Sequence, residues 1–198
     1  MFIESKIEKG WIEVVCGCMF SGKTEELIRR IKRARIANLH TTIFKPSIDI
    51  RYDDEQVVSH DANKIGSIPV SSSLEILARL TNEDVVGIDE AQFFDEHLPM
   101  VCDKLASKKI RVIVAGLDMD YRAKPFGPMP TLLSMAEYVT KVQAICMKCG
   151  DTASYTFKKV DNNQTVELGE KDLYEARCRS CYTLGMAEIK EQIKMDLT

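Results

Sequence analysis

The chain has 198 residues, of which 45% are hydrophobic and 29% are charged, a composition typical of a folded globular protein and not of a disordered one. Its 27 basic and 30 acidic residues leave a formal charge of −3, which disfavours a protein that coats nucleic acid with a basic surface. No apolar run approaches the ~20 residues of a membrane helix, and the start lacks a signal-peptide core. We therefore expect a cytoplasmic protein with neither nucleic-acid nor membrane partners.

Short apolar runs alternate with segments of helical periodicity up to residue 145. The predicted strands are Trp11–Cys16, Thr41–Lys45, Ile65–Val70, Val85–Asp89, Ile110–Ala115 and Val139–Ile145. The predicted helices are Glu25–Ala37, Ser71–Leu80 with a serine N-cap, and Glu96–Ser107. This alternation predicts that residues 1–145 form an α/β domain, a parallel sheet with helices on both faces.

The composition changes after residue 145. The segment from residue 146 to residue 198 holds four of the seven cysteines and few helical signals, which predicts a small metal-pinned lobe. Met186–Thr198 fits either a short helix or a loose tail. In a reducing compartment the cysteines are expected to bind metal or to be buried, and not to form disulfides.

Two Cys-x2-Cys pairs in this lobe can close one tetrahedral zinc site. The predicted ligands are Cys146, Cys149, Cys178 and Cys181. Because all four would be thiolates, no coordination position stays open, which favours a structural zinc over a catalytic one. A zinc-dependent nucleic-acid module is the alternative, and the acidic balance of the chain disfavours it.

A phosphate-binding loop follows the first predicted strand. Residues 17–24 fit the Gly-x4-Gly-Lys-Ser/Thr pattern in full, between a strand and a helix. Glycines let backbone N–H groups point at phosphate oxygens, and the following helix offers its positive N-terminal end. Lys23 would reach the β and γ phosphates, and the Thr24 hydroxyl would bind magnesium. The predicted ATP-binding residues here are Gly17, Cys18, Met19, Phe20, Ser21, Gly22, Lys23 and Thr24. With this loop, the predicted fold is the P-loop (RecA-like) α/β class.

An acidic pair ends another predicted strand. Asp89 follows Val85–Ile88, which is where a nucleotide-binding sheet places a magnesium ligand. Glu90 comes next and can act as a base. In an ATPase or helicase fragment it would activate a water, and in a kinase it would take a proton from a substrate hydroxyl. The residue type leaves both open, although a helicase would need a second motor domain or a partner's arginine finger.

The predicted helix after the loop carries a basic run from Arg29 to Arg35. Its other face is apolar, so we expect these side chains to form a solvated face, with an oligomer or phosphate contact as the alternative.

Together these motifs resemble those of the type II (cytosolic-type) thymidine kinase family, over roughly residues 10–185 and in that family's order. Residues 17–24 resemble its Gly-x-Met-Phe-Ser-Gly-Lys-Ser/Thr loop, and residues 88–94 resemble its Asp-Glu-Ala/Gly-Gln-Phe signature. Further matches are Asp49-x-Arg51-Tyr52, Ser59-His60-Asp61, Gly116-Leu117-Asp118, Lys124-Pro125-Phe126-Gly127 and Tyr174-x3-Cys178-Arg179-x-Cys181.

The resemblance implies a role for each matching residue. Glu90 matches the base that takes the proton of the nucleoside 5′-hydroxyl, and Arg51 matches a residue that stabilises charge on the transferred group. Asp49 and Gln92 match positions on the nucleotide side, and Tyr121 stands where phenylalanine is common. The implied nucleoside-binding residues are Met19, Phe93, Leu117, Tyr121, Phe126, Thr156, Thr165, Val166, Glu167, Leu168, Gly169 and Tyr174.

The resemblance also implies the activity and its partners. It implies Mg-ATP-dependent phosphorylation of thymidine, and of deoxyuridine, in pyrimidine deoxynucleotide salvage. Residues 165–169 match a loop that closes over the base, and the structural zinc would anchor both ends of this lid. A homotetramer and feedback inhibition by thymidine triphosphate are implied by the resemblance alone.

Overall fold

The computed structural model describes residues 9–48, 56–58, 64–159 and 173–196. Its strands are β1 Trp11–Cys16, β2 Thr41–Pro46, β3 Gln56–Val58, β4 Lys64–Gly66, β5 Ile68–Val70, β6 Val85–Ile88, β7 Arg111–Gly116, β8 Tyr138–Lys141, β9 Ala144–Ile145, β10 Thr152–Ala153, β11 Tyr155–Lys158 and β12 Tyr174–Arg177. Its α-helices are α1 Lys23–Ile36, α2 Ser73–Arg79, α3 Leu98–Ser107, α4 Met129–Met135 and α5 Arg179–Asp196, and a 3-10 turn covers Ala91–Phe93.

The central sheet of the described chain has six strands in the order β5-β2-β6-β7-β1-β8. Every neighbouring pair is parallel, which confirms the predicted parallel sheet. Cys16 at the end of β1 lies opposite Gly116 of β7, and Ile88 of β6 lies opposite Val114. The loops that follow β1, β6 and β7 therefore leave the same edge of the sheet, where parallel α/β sheets bind their ligands.

Alternate residues of the strands face opposite layers of helices, which confirms the prediction that helices cover both faces. On β1, Val14 points into the core beneath α2, α3 and α4, and Val15 points into the core beneath α1. On β7, Val114 points into the same core as Val14, and Ile113 points into the same core as Val15. Strands buried on both faces read as continuous apolar runs, which is why the sequence located them.

Two predicted strands are each divided in the structure. Residues 65–70 contribute to β4, which pairs antiparallel with β3, and to β5, the edge strand of the central sheet. Pro69 is compatible with β5 because an edge strand can lack one N–H donor. Residues 139–145 contribute to β8 in the central sheet and to β9, which pairs antiparallel with β10. Between them, Val142 N–H donates to the Cys16 carbonyl (2.9 Å), which prolongs the parallel pairing by one bond before the chain turns away.

The predicted serine cap of α2 is confirmed in position, because Ser72 is the N-cap residue. The helix begins at Ser73, and Ser72 makes no side-chain capping bond. Instead the Asp95 carboxylate accepts from the backbone N–H (2.8 Å) and the hydroxyl of Ser73. A carboxylate brought in from a distant loop satisfies the helix terminus as a local cap would, and periodicity along the helix cannot reveal it.

The sequence left Met186–Thr198 open as a short helix or a loose tail, and the structure makes it helical as far as Asp196. This helix, α5, begins at Arg179. Its first turn is held by Arg177, whose guanidinium lies 3.3 Å from the centre of the Phe157 ring and donates to the Cys181 carbonyl (3.1 Å). A Cβ at Gly185 would lie 1.9 Å from the Arg177 guanidinium, so the glycine permits this close approach. None of the described helices has the length and apolar character needed to span a bilayer.

Candidate active site

The predicted phosphate loop joins the end of β1 to the start of α1. Three of its residues have positive φ: Gly17 (150°), Phe20 (64°) and Gly22 (83°). A Cβ at Gly17 would lie 2.2 Å from the Val142 carbonyl oxygen, so only glycine fits between the loop and the end of β8. At Gly22 the nearest atom to such a Cβ is 3.7 Å away, so this glycine is required by its backbone conformation.

The cation of the loop lies against the loop itself. Lys23 Nζ donates to the Cys18 carbonyl (2.8 Å), and the Ser21 hydroxyl donates to the same oxygen (2.7 Å). The ammonium group is thereby held over the first turn of the loop, at the positive N-terminal end of α1. This combination of an ammonium and a helix terminus favours an anion such as a phosphate.

The two predicted magnesium ligands lie side by side. Thr24 Oγ1 donates to Asp89 Oδ2 (3.4 Å), although 65 positions separate the residues in the chain. The sheet brings them together because Asp89 follows β6 and the loop follows β1, with β7 between these strands. A hydroxyl and a carboxylate beside a phosphate loop are the donors that Mg²⁺ prefers.

The predicted base Glu90 is held in a left-handed conformation (φ 50°) between β6 and the 3-10 turn. Gln92 Nε2 donates to its carboxylate, and Gln92 Oε1 accepts from the backbone N–H of Leu117 (2.8 Å). Since a backbone N–H can only donate, the amide oxygen must face Leu117 and the amide NH2 must face Glu90. Gln92, 2% exposed, therefore links the acidic pair to the end of β7.

Aromatic side chains lie next to this amide. The rings of Phe93 and Phe126 meet edge to face with their centres 5.6 Å apart. Gly127 has φ 50°, and a Cβ there would lie 2.3 Å from the Gln92 carbonyl oxygen, which explains why this turn carries a glycine. The structure thus brings Phe93, Leu117 and Phe126, three residues implied for the nucleoside pocket, to the same end of the sheet as Glu90.

The lobe after residue 145 contributes the other described pocket positions. Thr156 Oγ1 accepts from the backbone N–H of Met19 (3.0 Å), so β11 lies against the phosphate loop. Two residues further along β11, Lys158 lies opposite Tyr174 of β12 and places its ammonium 5.2 Å from the centre of the Tyr121 ring. Asp49, Arg51 and residues 165–169 lie outside the described residues, so their implied roles stay predictions.

The four cysteines predicted to bind zinc come together in space. Their sulfur atoms all lie within 4.8 Å of one another, and Cys149 Sγ is 3.7 Å from Cys178 Sγ. Ligands of a tetrahedral zinc, at a Zn–S distance of about 2.3 Å, lie about 3.8 Å apart, so the cluster fits this metal. Cys146 and Cys149 occupy a turn closed by the Gly150 N–H on the Cys146 carbonyl (2.9 Å), and Cys178 and Cys181 flank the start of α5.

The pKa values of the thiols are shifted by different causes inside and outside the cluster. Burial opposes ionisation of Cys146, but backbone N–H donors outweigh it and lower the pKa of this thiol to about 6. Sulfurs of the neighbouring cysteines raise the pKa of Cys181 to about 12. Adjacent thiolates repel one another, so a divalent cation is what would stabilise all four together. Outside the cluster, burial raises the pKa of Cys102 to about 12 and also raises that of Cys18.

An ion pair beside the loop had no signal in the sequence. Lys141 Nζ meets Asp118 Oδ2 (2.5 Å), which raises the pKa of Lys141. Both residues lie near Cys16, at the end of β1. Asp118 belongs to the Gly116-Leu117-Asp118 motif, but its partner at the end of β8 is set by strand order, which periodicity does not supply.

The parallel sheet and the loop at its edge place the chain among the P-loop nucleotide-binding α/β proteins. One solved structure with this fold is flagellar accessory protein FlaH from Methanocaldococcus jannaschii (TM-score 0.50, 12% identity, covering 86% of this chain and 88% of that chain). At this identity the likeness concerns the fold alone.

Sequence comparisons identify the family. The family model described as Thymidine kinase matches residues 10–182. A thymidine kinase from Porphyromonas gingivalis is 58% identical over 176 residues, covering 89% of this chain and 86% of the relative. A thymidine kinase from Bacteroides thetaiotaomicron is 55% identical over 191 residues, covering 96% of each. The chain belongs to the thymidine kinase family and is an enzyme that phosphorylates thymidine.

Proposed function

We propose that the chain transfers the γ-phosphoryl group of ATP to the 5′-hydroxyl of thymidine, and of deoxyuridine, with Glu90 as the general base. The observation that carries this proposal is the contact between Thr24 Oγ1 and Asp89 Oδ2 (3.4 Å). It joins the phosphate loop to the acidic pair. Because Glu90 directly follows Asp89 in the chain, the proposed base lies next to a predicted metal ligand.

The loop would bind the triphosphate of ATP. Its backbone N–H groups and the N-terminus of α1 would face the phosphate oxygens, and the Lys23 ammonium would neutralise charge on the β and γ phosphates. Thr24 and Asp89 would hold a magnesium ion, which when bound neutralises further charge on the triphosphate. Asp49 and Arg51 belong to the same proposal through the resemblance.

Glu90 would supply the base. Its carboxylate takes the proton of the 5′-hydroxyl while the hydroxyl oxygen forms a bond to the γ-phosphorus and the bond from that phosphorus to the β–γ bridging oxygen breaks. The products are the nucleoside 5′-monophosphate and ADP. The amide of Gln92 supports this role because it orients the carboxylate before substrate arrives, which lowers the reorganisation that the reaction requires.

The nucleoside would lie between the sheet edge and the lobe. Phe93 and Phe126 offer an apolar wall on the sheet side, and Thr156 and Tyr174 offer the opposite wall. Met19, Leu117 and Tyr121 complete the proposed pocket, and residues 165–169 are its proposed lid. Zinc in the four-cysteine cluster would fix the two cysteine pairs at the ends of the chain segment that carries this lid.

The remaining parts of the proposal rest on the resemblance. They are a homotetramer, feedback inhibition by thymidine triphosphate, and a cytoplasmic place in pyrimidine deoxynucleotide salvage.

The test is ADP and nucleoside-monophosphate formation by the purified chain with magnesium and ATP. Thymidine and deoxyuridine should each give one monophosphate per ADP, whereas uridine and deoxycytidine should give none. ADP formed at the same rate without nucleoside would contradict the proposal, because it would make Glu90 a water-activating residue.

A further inference from the structure

The phosphate loop is supported from one side by the cysteine lobe. Thr156 Oγ1, on β11, accepts from the backbone N–H of Met19 (3.0 Å). Thr156 is 5% exposed and Met19 is half-buried, so this hydrogen bond is partly shielded from water. The Met19 N–H is therefore directed at the lobe and acts as a support of the loop.

A second contact lies one residue earlier in the loop. Cys18 Sγ donates to the Ala153 carbonyl oxygen (3.4 Å), at the end of β10. The Cys18 side chain, 2% exposed, packs in a small cluster built almost wholly from the lobe. The other members of that cluster are Ala144, Cys146, Ala153 and Ala176, with Phe20, Cys178 and Cys181 packed against them.

A phosphate loop needs this kind of support because its working conformation is strained. Phe20 has φ 64°, a left-handed conformation that is unfavourable for a non-glycine residue and persists only where the surroundings hold it. Gly17 and Gly22 also have positive φ, but as glycines they adopt it without this cost. Contacts that fix the two residues before Phe20 restrict the loop to the shape in which its remaining N–H groups converge on an anion.

We propose that Thr156 is a positioning residue for the phosphate loop, so that the lobe which forms a wall of the nucleoside pocket also sets the affinity for the nucleotide phosphates. This inference rests on the proposed function of the loop as the ATP site. The same residue would then serve both substrates, as a wall of the proposed nucleoside pocket and, through its hydroxyl oxygen, as a support of the loop.

The test compares Thr156→Val, which keeps the shape and removes the acceptor, with Thr156→Ser, which keeps the acceptor and removes the methyl group. Calorimetry measures the affinity for a non-hydrolysable ATP analogue with magnesium and no nucleoside, and separately the affinity for thymidine with no nucleotide. Thr156→Val should weaken analogue binding about 3- to 10-fold, the effect of one neutral hydrogen bond, and Thr156→Ser should restore it to within about twofold of the wild type. Circular dichroism and zinc content check that both variants fold.

Unchanged analogue binding by Thr156→Val, with thymidine affinity alone reduced, would overturn the inference and leave Thr156 as a pocket wall. Equal losses in the Val and Ser variants would overturn it as well, because the hydroxyl would then not be responsible. If Thr156→Val does not fold, Cys18→Ala removes the second contact: analogue binding should weaken while thymidine binding stays, and unchanged analogue binding would overturn the inference. A wild type that binds neither ligand would contradict the proposed function itself, and the inference with it.

Discussion

The amide of Gln92 connects the Glu90 carboxylate to the backbone N–H of Leu117. One end of the amide donates to the acid that follows β6, and the other accepts from the residue that follows β7. The position of the proposed base is thus fixed by the neighbouring strand of the sheet and not only by its own turn.

Removing this link should lower turnover. Gln92→Met keeps the length of the side chain but neither donates to Glu90 nor accepts from Leu117. We expect kcat to fall about 10- to 100-fold, the equivalent of one hydrogen bond to a charged group, with the KM for thymidine within about twofold. The acidic limb of the pH–rate profile should move to higher pH, because the carboxylate loses a donor that favours its charged form.

Gln143→Met is the matched control, because Gln143 is exposed and bonds only weakly to Ser154 (3.2 Å). It should leave both the rate and the pH profile unchanged. A Gln92→Met enzyme with wild-type kcat and pH profile would contradict the positioning role.

A buried ion pair network holds α1 against the sheet. The Glu13 carboxylate, on β1, accepts from Arg30 (2.7 Å) and Arg111 (2.6 Å) and is fully buried. Glu13→Gln would remove the charge that both buried guanidinium groups share, and Arg30 would keep its pair with Glu26 (2.8 Å). We expect the free energy of unfolding in urea to fall by about 3–5 kcal/mol. Glu75→Gln breaks the exposed pair with Arg79 (2.6 Å) and should change stability little, so equal effects of the two substitutions would count against this account.

Much of the site could be predicted because its signals are local. The loop glycines, the acids after β6 and the two Cys-x2-Cys pairs each occupy a few consecutive positions, and hydrophobic periodicity placed a strand before the loop and a helix after it. The structure then brings Thr24 to Asp89 as the strand order requires.

What the sequence missed depends on long-range contacts. Arg30 sits in the basic run that was expected to form a solvated face, yet it is 3% exposed because Glu13 on β1 and Glu26 on α1 neutralise it. The role of Gln92 depends on an N–H that is 25 positions away. The first part of α5, from Arg179 to Gly185, was not predicted, since glycine disfavours a helix, whereas the structure uses Gly185 to admit the Arg177 guanidinium.

The hydroxyl of Tyr121 is buried and has no hydrogen-bond partner among the described residues. Removing an unpaired buried hydroxyl should be neutral or favourable, so Tyr121→Phe should unfold with a free energy equal to the wild type or higher by up to about 1–3 kcal/mol. Tyr182→Phe is the opposite case, because the Tyr182 hydroxyl donates to the Tyr121 carbonyl (2.8 Å). The free energy of unfolding of this variant should be about 1 kcal/mol lower than that of the wild type. Urea unfolding without ligands measures both, and a Tyr121→Phe protein less stable than Tyr182→Phe would refute the comparison.

The cysteine cluster should bind about one zinc ion per chain, and loss of one ligand should release it. Cys149→Ser replaces a thiolate with a hydroxyl, so its zinc content after dialysis against a chelator should fall well below that of the wild type. Cys102→Ala alters a buried thiol of α3 outside the cluster and should keep its zinc. Atomic emission spectroscopy measures the zinc content of the dialysed proteins. A Cys149→Ser protein that retains its full zinc would refute the four-thiolate site.

The central claim is that Glu90 takes the proton of the nucleoside hydroxyl, and Glu90→Gln tests it most directly. The measurement is single-turnover formation of thymidine 5′-monophosphate, with the affinities for thymidine and an ATP analogue determined in parallel. Loss of the base should slow the chemical step about 10²- to 10⁴-fold and leave both affinities within about twofold. Glu96→Gln, an exposed acid six positions further along, should react at the wild-type rate. Near-normal turnover by Glu90→Gln would contradict the account, because the proton would then have to leave through another group.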